Sequence, residues 1–390
     1  MMVFAHIPKP LLITLSSLLI AMSCLVIWRS AKGFELASDY LGRKLPAGIK
    51  GATLNAIASS MPEFLTTMFF LFYLHDADGF AGGLGVSSGS ALFNLLIIPA
   101  GAIIVVTSLS GKPTMKLKRP VLLREGLFLI LAQVLFIVLL IDGELKGMEG
   151  GLLLLFYLAY LLLLFLISRS KDGSEPGFRA SGIPKRSLLI NSASLDIVPL
   201  VLNGRKLNAG RAWLLLIVST LVMSAGTWLL VLGTESFGAA TGIPLIFVAV
   251  VLSAAATSVP DTIISIRDAR KANYDDAISN ALGSNIFDIA FALGFPVLLY
   301  AVFNKDPIVL EGDLLEFTQE VWVFLLLATV AAVFIMLLGR KLRRLNAVLL
   351  LLIYGLFLLF IGTQVGGSGQ VGGLLRDFLT GLAEMIGRLH

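Results

Sequence analysis

Ser59-Ser60-Met61-Pro62-Glu63 and Thr257-Ser258-Val259-Pro260-Asp261 are two versions of one phrase. Each sets two hydroxyls, a proline and a carboxylate inside an apolar run long enough to cross a bilayer. A carboxylate at the centre of a membrane costs roughly 2.5–3.5 kcal/mol on insertion scales, which a bound cation would offset. Two copies of the phrase imply a duplicated chain whose halves share one site.

The composition agrees with a membrane setting. Charged residues make up 14% of the 390 positions and apolar ones 57%, and the mean hydropathy is +0.91. A soluble domain carries about 25% charged residues. Ten runs reach the length of about 20 apolar residues that a helix needs to span: 11–28, 46–74, 81–107, 122–141, 148–167, 212–233, 242–266, 276–303, 320–339 and 345–362. The fold class expected is therefore all-α and polytopic, with ten transmembrane helices arranged as two inverted five-helix repeats. The first repeat is 1–167, with its motif region at 51–100, and the second is 212–362, with its motif region at 249–298. A cytoplasmic linker, 168–211, joins them, punctuated by Gly173, Pro176, Gly177, Gly182 and Pro184. The tail, 363–390, reads as an extracytoplasmic segment with a short amphipathic helix on the membrane surface, its apolar positions being Leu374, Leu375, Phe378, Leu382 and Ile386.

Orientation follows from the basic residues. Of the 30 Lys and Arg, 25 lie in or beside the loops after spans 1, 3, 5, 7 and 9. By the positive-inside rule those loops are cytoplasmic and both termini extracytoplasmic. A cell membrane is the expected location. The net charge of +5 is accounted for by topology, so the bilayer and inorganic cations are the expected partners and nucleic acid is not. The first run is read as a transmembrane helix and not a signal peptide, because Arg29 and Lys32 follow it and only Lys9 precedes it. Cys24 has no second cysteine to pair with, and His6, His75 and His390 sit at termini or in a loop. No zinc site, histidine relay or other cofactor is expected from them.

Span 2 runs outward with Glu63 and span 7 runs inward with Asp261. Five spans repeated after an odd number of crossings must be inverted, and such repeats build a central site where they meet. A second matched element follows each phrase: Gly85-Val86-Ser87-Ser88-Gly89-Ser90-Ala91-Leu92-Phe93-Asn94, and Ser279-Asn280-Ala281-Leu282-Gly283-Ser284-Asn285-Ile286-Phe287-Asp288. Aligning Gly89-Ser90 with Gly283-Ser284 pairs Asn94 with Asp288 and Val86 with Asn280. The first half has four extra residues between carboxylate and partner, placed by this reading in the outer loop Leu74 to Gly83.

The chemistry on offer is oxygen, as hard cations require. Pro62 and Pro260 remove a backbone donor and crowd the preceding turn, so carbonyls near 58–59 and 256–257 are expected to face an ion. Glu63 and Asp261 together balance one Ca²⁺ or two Na⁺, and Asp288 adds a third negative charge or carries a proton. Glycines in spans 3 and 8 are expected to let helices approach closely enough for ligands from four helices to converge. Asp268, Asp275, Asp276 and Glu235, near span ends, read as solvated.

These paired motifs resemble the alpha-repeats of the calcium/cation antiporter superfamily, and the second resembles the K⁺-dependent sodium/calcium exchangers most. The resemblance implies a Na⁺/Ca²⁺ antiporter and no enzyme, moving Ca²⁺ and Na⁺ through one midplane site by alternating access, with spans 1 and 6 shifting against a core of 2, 3, 7 and 8. It implies Ca²⁺ ligation by Glu63 and Asp261 with Ser59 and Thr257, Na⁺ or middle positions lined by Ser60, Ser258, Ala56, Ala254, Asn94 and Asp288, and Asp288 as the candidate K⁺ residue. Departures from the pattern are Ala58 and Ala256, where the family usually has glycine, and Val86, which coordinates nothing. The alternative is a Ca²⁺/H⁺ antiporter of the same superfamily. An intramembrane aspartyl hydrolase using Asp261 and Asp288 leaves Glu63 without a role, and a channel does not need paired broken helices.

Overall fold

A computed structural model describes residues 7–43, 56–74, 77–109, 112–169, 196–338, 341–366 and 377–383. The transmembrane helices are α1 Lys9–Leu41, α2 Ala56–Leu74, α3, α4 Arg119–Leu139, α5 Gly147–Arg169, α6 Ala209–Thr241, α7, α8 Tyr274–Asn304, α9 Gly312–Leu337 and α10 Arg344–Gly366. α3 runs Ala77–Leu92, a π turn at Phe93–Ile97, Ile98–Ile104 and a second π turn at Val105–Leu109. α7 runs Leu245–Thr257, with a π turn at Ala249–Ser253, and resumes as Val259–Arg270 after a 43° bend. With the bent pair counted once, ten helices among the described residues are long and apolar enough to span.

Packing explains which helices are central. In its most apolar window α3 is 78% buried, against 28% for α5 and for α10. Leu155, Leu158, Leu162 and Leu166 of α5 are exposed, as suits a helix that faces lipid. α2, α3, α7 and α8 pack together at the centre. α4 and α5 pack against α8, and α9 and α10 against α3, so each half's outer pair braces the other half's ligand-bearing helix. α1 and α6 form their most extensive contact with each other. Both have 33 residues, about 50 Å of helix at 1.5 Å per residue, which a bilayer accommodates by tilting them.

Contacts between loops bear out the alternation of sides. Glu144–Leu145 (β1) pairs with Ile308–Val309 (β2), joining the loops after α4 and α8. On the opposite side Met115 bridges Leu342, Lys118 pairs with Asp275 at 3.1 Å, and Arg267 pairs with Glu35 at 2.5 Å. These contacts gather the ends of α1, α3, α7 and α9. A short helix, Ile197–Leu202, packs on Ala37, Ala212 and Leu215 there, in what the sequence reads as linker. The remainder of that linker, 170–195, lies outside the described residues.

One expectation is corrected, and part of the tail is placed. The four extra residues of the first half mainly lengthen the facing ends of α2 and α3, where Ala77 to Gly83 is already helical. The tail helix, residues 377–383, buries Leu379 in the bundle, and Thr380 donates to Glu320 of α9 at 2.7 Å. This side of the segment packs against protein, its hydroxyl satisfying a buried carboxylate, while Phe378 on the same helix is exposed. Leu374, Leu375 and Ile386 lie outside the described residues.

One glycine is obligatory at the crossing of α3 and α7: a Cβ on Gly89 would lie 2.0 Å from the Val250 carbonyl oxygen. Gly283, its counterpart in α8, has only the Tyr160 hydroxyl nearby, at 3.9 Å. Close approach, expected of the glycines in both spans, occurs in α3 at Gly89 and in α8 at Gly294, where a Cβ would lie 2.8 Å from Leu153 Cβ and 3.0 Å from the Gly150 carbonyl oxygen, and not at Gly283.

Candidate functional site

α2 carries Ser59 and Glu63 one turn apart, on one face, and passes through Pro62 without a break. The Thr66 hydroxyl donates to the Pro62 carbonyl at 2.7 Å. α7 behaves differently. Its helix stops at Ser258 (φ −76°, ψ 1°) and restarts at Val259, so Pro260 falls at the second position of a new helical segment. There its missing N–H costs nothing, because the first turn has no intrahelical partner for it. Asp261 consequently lies in a helical first turn, where the backbone dipoles favour negative charge. The Ala256 carbonyl, expected to be freed, accepts only a long contact from the Cys24 thiol at 3.8 Å among the side-chain donors.

The expected residues converge. Asp261 accepts from Ser284 at 2.9 Å, Asn280 at 3.1 Å and Asn94 at 3.2 Å. Glu63 Oε1 accepts from Ser90 at 3.1 Å and Ser258 at 3.5 Å. Ser90 and Ser258 share a hydrogen bond at 2.9 Å, and Ser59 and Ser284 one at 3.3 Å, so hydroxyls of the two halves interlock. Ser59 also donates to the Ala56 carbonyl at 3.2 Å, and Thr257 to the Ala254 carbonyl at 3.1 Å. These paired contacts follow the duplication. All of these residues are buried, and Glu63 and Asp261 both act electrostatically on Asp288.

What is left without a partner is almost entirely oxygen. Glu63 Oε2, Ser60 Oγ, Asn94 Oδ1, Asn280 Oδ1 and both carboxylate oxygens of Asp288 are buried and have no hydrogen-bond partner among the described residues. An unsatisfied buried acceptor costs about 1–3 kcal/mol, more when charged. Among the described residues no lysine or arginine pairs with Glu63, Asp261 or Asp288. Nor do three or more His, Cys, Asp or Glu close into a metal cluster there. A hard cation held here would have to take carboxylate, amide, hydroxyl and carbonyl oxygens together.

The departures from the family pattern have structural reasons. Val86 is buried against Phe70, Val231 and Ala249, while its counterpart Asn280 reaches Asp261. Ala58 packs with Ala31, Phe34 and Met223, and Ala256 with Ile27 and Leu230. Both alanines thus fill the seam between the core and α1–α6. Ser90, Ser284 and Asn280 were absent from the ligands expected from sequence. Their spacing could have revealed them, since 90 and 94, and 280, 284 and 288, recur every four residues, one helical face. Asp275 is ion-paired, Asp268 and Glu235 are half-buried, and Asp276 is exposed.

The chain matches the family model described as sodium/calcium exchanger protein over residues 15–166 and 211–363. It is 26% identical over 301 residues to inner membrane protein YrbG of Escherichia coli (strain K12), covering 77% of this chain and 84% of that protein. Sodium/potassium/calcium exchanger 5 of Homo sapiens is 26% identical over 346 residues, covering 69% of this chain and 66% of that one. A shorter match, 36% identical over 140 residues, joins 36% of this chain to 21% of sodium/potassium/calcium exchanger 2 of Gallus gallus. The chain thus spans most of the bacterial relative's length, just under two thirds of the human one and about a fifth of the avian one.

Solved structures share the fold. The H⁺/Ca²⁺ exchanger CAX superposes with a TM-score of 0.68 at 16% identity, covering 98% of this chain and 88% of that one. The sodium-calcium exchanger NCX_Mj gives 0.54 at 20% identity, covering 88% and 97%. Family and fold are those of transporters, which removes the hydrolase alternative. The family match runs through both halves, across the helices built around the two proline-carboxylate phrases, and this integral multi-pass membrane protein belongs to the sodium/calcium exchanger family of the calcium/cation antiporter superfamily.

Proposed function

We propose that the protein exchanges Na⁺ for Ca²⁺ by alternating access at the Glu63–Asp261 site. The observation that carries this reading is the set of buried, unpartnered oxygens around three carboxylates that, among the described residues, have no ion pair with a lysine or arginine. Glu63 and Asp261 are the central Ca²⁺ ligands, with Ser59 and Thr257 beside them. Ser60, Ser258, the Ala56 and Ala254 carbonyls, Asn94 and Asp288 form the Na⁺ and middle positions. Serine and asparagine donors hold the carboxylates. A cation competes for the same oxygens, and the hydroxyls rotate to present lone pairs to it.

Coupling follows from electrostatics. Closing apolar surface over two unbalanced carboxylates is costly, whereas one Ca²⁺ or two Na⁺ remove that penalty. Only a loaded site then passes readily between the two openings, which is what an exchanger requires. The long pair α1 and α6 is the mobile element, with both termini extracytoplasmic. Inward Na⁺ movement would expel Ca²⁺. Asp288, opposite the neutral Asn94, is the candidate for K⁺ use.

Na⁺-loaded vesicles containing the purified protein should take up labelled Ca²⁺ on dilution into Na⁺-free medium. Uptake driven by a pH gradient and indifferent to Na⁺ would replace this reading with the H⁺-coupled one. Running the assay with and without K⁺, on the parent and on Asp288→Asn, tests the K⁺ assignment: a K⁺ stimulation that persists in the variant removes Asp288 from that role.

A further inference from the structure

A second buried carboxylate lies outside the site and has no part in the exchange reading. Glu125 of α4 is fully buried. It accepts from the Tyr160 hydroxyl of α5 at 2.7 Å, from Ser279 of α8 at 3.3 Å and from Arg124 Nε at 3.0 Å. Arg124 also pairs with it through Nη2. One carboxylate thus ties three helices together.

The register along α8 gives this cluster its meaning. Ser279 touches Glu125, and the next residue, Asn280, donates to Asp261. Gly283 leaves room for the Tyr160 hydroxyl, and the next residue, Ser284, donates to Asp261. The Phe287 ring packs on Tyr157, with centroids 5.6 Å apart, and the next residue is Asp288. Tyr157 in turn neighbours Tyr160, at 6.2 Å between ring centroids. Residues 279, 283 and 287 form the outer stripe of α8, and 280, 284 and 288 the stripe that faces the carboxylates. Neighbouring residues on a helix differ by about 100° in direction, so one rotation of α8 sets both stripes together.

We propose that Glu125 is a positioning residue for the cation site: through Ser279 and Tyr160 it fixes the rotation of α8 and so aims Asn280, Ser284 and Asp288. The inference rests on the reading of Asp261 as a cation ligand. Groups that orient ligands from behind carry a measurable share of affinity, and their loss typically weakens metal binding about 10–100-fold.

Calorimetric Ca²⁺ titration of the purified full-length protein tests it, on the parent, Glu125→Gln, Tyr160→Phe and Gln133→Leu. Gln133 donates to Thr329 at 2.8 Å, a buried hydrogen bond between α4 and α9 that does not involve α8. Glu125→Gln and Tyr160→Phe should weaken Ca²⁺ binding about 10-fold or more, while Gln133→Leu lowers the melting temperature and leaves the Kd unchanged. An unchanged Kd in Tyr160→Phe, or an equal weakening in Gln133→Leu, overturns the proposal. Tyr160→Phe keeps the ring and decides the matter even where Glu125→Gln does not fold. A parent that binds no Ca²⁺ would instead overturn the site reading, and this inference with it.

Discussion

The two proline-carboxylate segments began as copies and now differ in backbone. α2 runs through Pro62 as continuous helix, whereas α7 takes a π turn at Ala249–Ser253, breaks at Ser258 and bends by 43°. The break puts Asp261 into a helical first turn, with three side-chain donors around it. Glu63, mid-helix, has Ser90 and Ser258 on one oxygen and nothing on the other. Duplication preserved the carboxylate but not its surroundings: Asp261 is the anchored acid, and Glu63 keeps one oxygen without a hydrogen bond among the described residues, the one that the proposed exchange would offer a cation.

The largest effect should come from removing either acid. Glu63→Ala and Asp261→Ala should each abolish Na⁺-driven Ca²⁺ uptake in vesicles. Conservative replacement is where they should part: both Asp261 oxygens accept hydrogen bonds, so the amide of Asp261→Asn meets a donor on either side, whereas Glu63→Gln can keep its oxygen towards Ser90 and Ser258 and turn the amide nitrogen to the unpartnered side, leaving the larger residual uptake. Equal residual uptake in the two conservative variants would break the division drawn above.

Next comes the pair of glycines. Gly89→Ala drives a Cβ into the Val250 carbonyl, and overpacking of this kind costs roughly 1–3 kcal/mol or more. Gly283→Ala meets nothing closer than 3.9 Å and should be nearly neutral. Thermal unfolding in detergent measures both, and a comparable loss in each would mean that the halves pack alike. An effect read in binding is expected from Asn280→Val, which gives the second half the residue the first half has at Val86. Losing one hydrogen bond to a charged group, worth about 1.5–3 kcal/mol, should weaken Ca²⁺ binding by roughly 10- to 100-fold. Unchanged affinity there would show that the Asn280 donor is dispensable.

Most of the fold could be read from the chain because lipid enforces simple rules. Length and apolarity marked the ten helices, and the distribution of Lys and Arg sorted their connections onto the two sides that the loop contacts now display. The site was legible where chemistry is expensive, at Glu63, Asp261 and Asp288. It was less so where chemistry is cheap: Ser90 and Ser284 are ordinary residues in a membrane helix, and only their contacts give them weight. Glu125 was hidden by its position in α4 next to Arg124, near a basic loop. The different responses to Pro62 and Pro260 depend on whether the chain can restart a helix at the proline, which tertiary packing decides.

The crossing at Gly89 and Val250 has a consequence for traffic. With the position of a would-be Cβ only 2.0 Å from a carbonyl oxygen, no water or ion fits between α3 and α7 at that level. Ser90, the next residue, already touches Glu63, so this seal stands immediately behind the carboxylates. The carboxylates thus have a back wall made of main chain, and on the proposed reading that wall closes this side to cations, while Ala58 and Ala256 line the seam with α1 and α6.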